Sequence, residues 1–132
     1  MKKLMLADSG YVVISMDLSQ AENRVVGYIA PEPKMIEAFE TGIDIHRQTA
    51  AMIYGIGKAE VTTEQRSWGK RANHGLNYDL GYKSFALYYQ IPEAEASFLV
   101  ERYHSIYPGV RQWHSTIQHE LGRTRTLTNL FG

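Results

Sequence analysis

"RSWGKRANHGLNY", residues 66–78, has a helical look, yet it contains Gly69 and Gly75 and crowds three basic side chains into its first half. Thr62 precedes it and Gln65 follows three positions later, the spacing of a capping box, so a helix is expected to start after Thr62. Residues 66, 70, 74 and 78 are four apart, and each lies about 40° further round an α-helix. They form one slowly winding flank that presents guanidinium, ammonium, imidazole and phenol in order. Two cations one turn apart repel unless an anion sits between them. A triphosphate would supply that anion, with Arg66 making forked contacts and Lys70 acting as a point charge. His74 and Tyr78 would then suit stacking on bases. Each glycine costs about 1 kcal/mol relative to alanine inside a helix. What glycine offers is close approach of another group to the backbone, and Gly75 reads as a place where a sugar or base could lie. The competing reading is a solvated basic face with glycines marking a helix end.

The surrounding chain sets bounds on that choice. It has 132 residues, 44% hydrophobic, with 14 Lys and Arg against 14 Asp and Glu. That is the size and composition of one small domain. A net charge of zero does not suggest a free-standing nucleic-acid-binding domain, so any such role must rest on local patches. The absence of cysteine excludes disulfides and thiolate metal sites. The start "MKKLMLADSG" has too short an apolar run for a signal peptide. No stretch approaches the roughly 18 apolar residues of a membrane span. The expected setting is the cytoplasm, with no membrane partner.

Upstream, "YVVISMD" (11–17) reads as a strand covered on both faces, because it is β-branched, aromatic and nearly continuous in apolar character. "SQAENRVVGYIA" (19–30) reads as a helix with Ser19 as N-cap and Glu22 completing a capping box. Short helices are expected at 34–42 and at 44–55, the second capped by Asp44. Downstream, "GYKSFALYYQI" is helical, 92–107 is an amphipathic helix entered through Pro92, and 110–122 is the last helix. "RTRTLTNLFG" (123–132) turns extended. The expected fold class is therefore α+β and mostly helical, with one or two strands. One strand cannot make a sheet, since its backbone groups need partners, so the sequence looks like part of a larger fold.

Taken one at a time, the remaining polar residues have ordinary explanations. Asp17, a carboxylate ending a strand before a helix, suits a magnesium ligand but also a turn. Glu22 has its capping box. His46 sits in the first turn of its helix, where exposed backbone donors favour anions, or is simply exposed. His114 and His119 are five apart and share no face, so no metal site is read there. Tyr82, Phe85, Tyr88 and Tyr89 read as core, and "QHE" (118–120) as surface.

Together these segments resemble the family A DNA polymerases of the bacterial polymerase I and bacteriophage type. "DLSQAENR" (17–24) is similar to the first palm motif, D-x-S-Q-x-E-x-R. "DIHRQTA" (44–50) resembles the D-I-H segment of the fingers, and 66–78 resembles the fingers-helix motif R-x3-K-x3-F/Y-G-x2-Y. "YHSIYPGVRQWHSTI" (103–117) fits the segment leading back to the palm. The resemblance implies a palm portion at 1–30, fingers helices at 31–122 and the start of a return strand at 123–132. It implies template-directed addition of deoxynucleotides to a primer 3′ end, with two magnesium ions and a DNA primer-template as partners. Asp17 and the Leu18 carbonyl would bind the metal. Arg66, Lys70 and His46 would hold the triphosphate, and Lys70 could also protonate the leaving pyrophosphate. Glu22 would exclude a ribose 2′-hydroxyl, and His74 would meet the sugar and base. Tyr78 and Gly75 would face the template. Gln20 and Arg24 would contact the primer terminus or support the site.

Two departures from the family pattern stand out. His74 replaces the usual Phe or Tyr, which bears on sugar selectivity. The third motif, an H-D-E on a palm hairpin, is absent from the sequence, and with it the second metal-binding carboxylate. The expectation is a polymerase fragment, inactive alone and completed by the remainder of the enzyme. The alternative is a non-catalytic nucleotide- or DNA-binding remnant with an accessory function. A single-subunit RNA polymerase relative is disfavoured by Glu22.

Overall fold

The computed structural model describes residues 6–129, and within that range the regular elements are all helical. Helix α1 spans Ala21–Ile29, α2 Pro33–Glu40, α3 Ile45–Tyr54, α4 Thr63–Asn77, α5 Tyr82–Tyr89, α6 Glu93–Ile106 and α7 Pro108–Thr124. A short 3-10 turn, Lys58–Glu60, lies between α3 and α4.

The helix boundaries follow from local chemistry. Asp44 caps α3 by accepting from the backbone N–H groups of His46 and Arg47, and Gly55 ends it in the left-handed region at φ 67°. At α4 the expected box forms in both directions. Gln65 N–H donates to Thr62 Oγ1 at 3.2 Å, and Thr62 N–H donates to Gln65 Oε1 at 2.9 Å. Glu32 does similar work at longer range. Almost fully buried, it accepts from Gly109 N–H at the start of α7 at 2.9 Å and from Lys34 N–H at the start of α2.

Helices α3 and α4 form the most extensive pair and lie at the centre. Gly69 makes their contact possible. A Cβ there would sit 2.1 Å from the His46 carbonyl oxygen, which two ordinary helices cannot accommodate. Ile45, Ile53, Ala72 and Leu76 from this pair meet Phe85 of α5, Leu99 and Tyr103 of α6, and Val110 of α7. Met35 and Phe39 of α2 close the near side. A second buried polar set ties α1 in. Asn77 Nδ2 donates to Asn23 Oδ1 at 2.8 Å, and Tyr103 OH donates to Asn77 Oδ1 at 2.7 Å.

The strand expected at 11–17 does not form. Tyr11, Val12, Ile14 and Met16 are 76–91% exposed, and no strand occurs among the described residues. The physical reason is the one that made a single strand suspect: a ladder needs a partner, and the described residues offer no partner strand. No return strand is seen among the described residues either. Residues 123 and 124 continue α7, residues 125–129 form no ladder, and 130–132 lie outside the described residues. The fold among described residues is thus all-helical rather than α+β.

Two smaller expectations also fail. Ser19 is not an N-cap. Gln20 holds that position in the left-handed region at φ 56°, without a side-chain cap bond, so no box with Glu22 forms. The aromatic cluster is only partly core: Phe85 is fully buried and Tyr89 half-buried, but Tyr88 is 71% exposed and Tyr82 also faces outward. The α5 helix is short and packs chiefly along α6, so it has only one inward face.

Candidate functional site

A cleft of about 760 Å³ opens between the segment before α1, the start of α1, the first turn of α3 and the first half of α4. Asp17, Leu18, Gln20 and Glu22 line one side, and His46, Arg66 and Lys70 line the other. The sequence motifs that appeared separate along the chain therefore converge on one space.

On the cationic side, Arg66 is held from below. Its Nε donates to Asp44 Oδ2 at 2.6 Å, so the capping aspartate uses one oxygen for the helix end and the other for the arginine. Both terminal guanidinium nitrogens remain as donors. Burial pushes the Asp44 carboxyl up. Hydrogen bonds from Arg66 and from the Arg47 and His46 backbone, together with the Arg66 charge, outweigh that and leave it below the usual range. One helical turn on, Lys70 is exposed and forms no ion pair among the described residues. His46 is half-buried, and burial lowers its pKa. Asp44 acts in the opposite sense, while Arg66 and Lys70 lower it further. The Asn73 carboxamide lies 3.0 Å from His46 Nδ1.

On the acidic side, Asp17 and Leu18 are exposed on the unpaired segment. Arg24 does not enter the cleft. Its Nε donates to the Ser19 carbonyl at 3.1 Å and its guanidinium lies 4.9 Å over the Phe39 ring, so it braces the turn that leads to Asp17. Freed from capping, Glu22 reaches α4. Its Oε2 lies 3.6 Å from His74 Nδ1. Its charge, loss of hydration and a hydrogen bond to it together push the Tyr78 phenol above its ordinary pKa.

His74 and Tyr78 line a second, smaller hollow of about 210 Å³ with Gly75, Leu80, Tyr88 and Tyr89. Gly75 itself turns its Cβ position to the Phe85 ring, 3.3 Å away. The close approach it permits in the free chain is therefore that of α5. Two residues important to the cleft were not read as such from the sequence, Asp44 as the arginine's anchor and Asn73 as the partner of His46, and neither was Glu32, which caps α2 and α7 away from the cleft. Asp44 could have been suspected, since it precedes the D-I-H histidine by two. Asn73 and Glu32 act through contacts that only the folded chain brings together.

The family model for DNA polymerase family A matches residues 1–132. The chain belongs to DNA polymerase family A. It is 38% identical to DNA polymerase I of Deinococcus radiodurans over 95% of its own length and 13% of that polymerase. It is 32% identical to the thermostable DNA polymerase I of Thermus thermophilus over 99% of its length and 16% of that enzyme. Its fold is similar to the polymerase domain of Pol1 from M. smegmatis, solved in complex with DNA primer-template and dNTP. The TM-score is 0.79 at 29% identity, covering 88% of this chain and 20% of that one. The chain thus spans less than a quarter of the family A relatives it matches here. Among its described residues, no helix is long and apolar enough to cross a membrane.

Proposed function

We propose that this chain is the nucleotide-holding part of a template-directed DNA polymerase, working with polypeptide that supplies the rest of the palm. The observation that carries this reading is the convergence of Asp17, Glu22, His46, Arg66 and Lys70 on one cleft from three separated segments. Arg66 and Lys70 would take the triphosphate, with His46 beside them. Holding a phosphoryl group in line and neutralising its charge is most of what such a transfer requires. The primer 3′-hydroxyl would attack the α-phosphate and pyrophosphate would leave, with Lys70 placed to donate a proton to it. Glu22, anchored between His74 and Tyr78, would crowd the sugar's 2′ position. Tyr78 and His74 would flank the templating base.

Asp17 and the Leu18 carbonyl are hard oxygen donors at the cleft, and they would hold one side of a magnesium site, with the remaining ligands coming from the nucleotide and from the missing palm carboxylate. Magnesium held there would supply charge neutralisation to the attacking and leaving oxygens. Among the described residues there is no group of three or more His, Asp or Glu that could hold a metal. The sequence carries no H-D-E segment, and on that ground the reading for the chain by itself is binding without turnover.

The test is nucleotide affinity of the chain by calorimetry, beside primer extension. The expected result is binding of a deoxynucleoside triphosphate, weakened about tenfold or more by Arg66→Ala, which removes a charged hydrogen-bond donor worth roughly 1.5–3 kcal/mol. Primer extension by the chain alone, abolished by Asp17→Asn, would overturn the incomplete-site reading. Absence of nucleotide binding would overturn the functional one.

A further inference from the structure

We propose that Asn73 fixes the tautomer of His46, placing the ring proton on Nδ1, so that His46 receives an anionic ligand only by taking a second proton on Nε2. The groups beside His46 form a buried network whose protons can be counted. Asn73, Thr49 and Tyr107 are fully buried. The Thr49 hydroxyl touches three groups: the Ile45 carbonyl oxygen at 2.8 Å, the Asn73 carboxamide at 2.9 Å and the Tyr107 hydroxyl at 2.9 Å. As the structure places the same carboxamide, its Oδ1 faces Thr49 and its Nδ2 faces His46 Nδ1 at 3.0 Å.

A threonine hydroxyl has one proton and two lone pairs. The Ile45 carbonyl can only accept, so it claims the proton. Tyr107 OH then donates to Thr49. The third neighbour must donate as well, and only the Asn73 amide N–H can do so. With Oδ1 toward Thr49 and Nδ2 toward His46, the threonine proton would be needed twice, and two oxygens would stand 2.8 Å apart without a proton between them. A half-turn of the carboxamide exchanges its ends and satisfies every contact. A carboxamide's ends are told apart by their partners. With the carboxamide turned in this way Oδ1 faces His46, and the ring donates to it from Nδ1.

The neutral ring then keeps only a lone pair on Nε2, which repels phosphate. Arg66 and Lys70 on α4 oppose a second proton, Asp44 before α3 favours it, and Asp17 and Glu22 line the same cleft. A bound triphosphate offsets the two cations. It would draw one proton from solvent onto Nε2, giving an imidazolium that donates to Asn73 and to a phosphate oxygen. This linkage rests on the nucleotide reading above. The tautomer does not.

The experiment is long-range proton–nitrogen NMR on the full chain labelled at histidine nitrogen, at a pH where the ring is neutral, with His46 assigned by its loss in His46→Gln. The expected spectrum has a protonated Nδ1 and a lone-pair Nε2, and the reverse overturns the proposal. Thr49→Val keeps the shape and removes the hydroxyl. It should let the carboxamide turn and shift the ring toward the Nε2–H form, and an unchanged tautomer counts against Asn73 as the positioning residue. Calorimetry with dATP in buffers of different ionisation heat should read uptake of about one proton, lost in His46→Gln. Binding without uptake overturns the linkage. No binding at all sinks the nucleotide reading, and the nitrogen spectrum still decides the tautomer.

Discussion

The two sides of the cleft are built to very different standards. The α3–α4 side is cross-bonded at every level: Asp44 caps α3 and grips Arg66, Gly69 lets the backbones touch, and a buried polar chain runs from His46 to Tyr107. The opposite side, residues 11–18, carries Asp17 on a segment whose apolar side chains face outward. A cation-bearing wall can be made by helices that satisfy their own backbones. A carboxylate carried on a would-be strand can be held only when another strand supplies its hydrogen bonds. On the proposed reading, the contrast separates what this chain would do unaided, shaping a triphosphate seat, from what it would share with other polypeptide, fixing the metal ligand.

The most damaging single change should fall on the well-built side. In Gly69→Ala the new methyl would meet the His46 carbonyl at 2.1 Å, and backbone cannot yield as a flexible side chain can. The helices must separate, at a cost of about 3 kcal/mol or more, and urea unfolding should show it. Gly75→Ala is the control. Its neighbours are the Phe85 ring and the Leu80 methyl at 3.3–3.4 Å, which can shift. The helix-propensity gain of about 1 kcal/mol offsets that strain. Equal losses from both would mean that the α3–α4 crossing is no tighter than the α4–α5 contact.

The second effect is one of pH and belongs to the same helical body. His104 is buried beside His114, with its Nδ1 unpartnered. Burial first, then the Arg111 and His114 charges, lower its pKa to about 4, against a weaker pull upward from Asp79. The folded value lies below the unfolded one of roughly 6.5. Between those values the unfolded chain holds the proton and the folded chain does not. Stability should therefore fall as pH drops from about 6.5 to about 4, by at most about 3 kcal/mol, and level off below. Chemical unfolding across that range measures it, and His104→Phe should remove most of the slope.

Much of the helical body could be read from local chemistry, because caps and i, i+4 flanks are near neighbours in sequence. Thr62 with Gln65 and Asp44 at α3 cap as the spacing implied, while the 66–70–74–78 flank divides: Arg66 and Lys70 line the cleft, and His74 and Tyr78, the latter just past the helix end, line the smaller hollow. What could not be read depends on contacts between distant residues. Asn73 is 24 positions from Thr49, and Tyr107 is 58 from it. Glu32 reaches Gly109 across 77. Ser19 and Glu22 show the opposite failure. A correct local signal was overruled when Gln20 took the left-handed turn, and Glu22 went instead to His74. Likewise 11–17 has every side-chain mark of a strand and lacks only the partner that would make it one.

The smallest effect is therefore the most telling for the weak side of the cleft. Ile14 is 76% exposed and makes no core contact, so Ile14→Asp should change the chain's own unfolding free energy by less than about 0.5 kcal/mol. An apolar side chain so placed serves only when something covers it. The same substitution should then abolish association with polypeptide carrying the rest of the palm, read by co-purification or by recovered primer extension. A large loss of stability in the isolated chain would mean that the segment already packs on the helices. Unimpaired association would mean that the complementing surface lies elsewhere. Silence in the free chain combined with failure in the assembly would identify 11–17 as a strand completed by its partner, and Asp17 as a ligand positioned only at that moment.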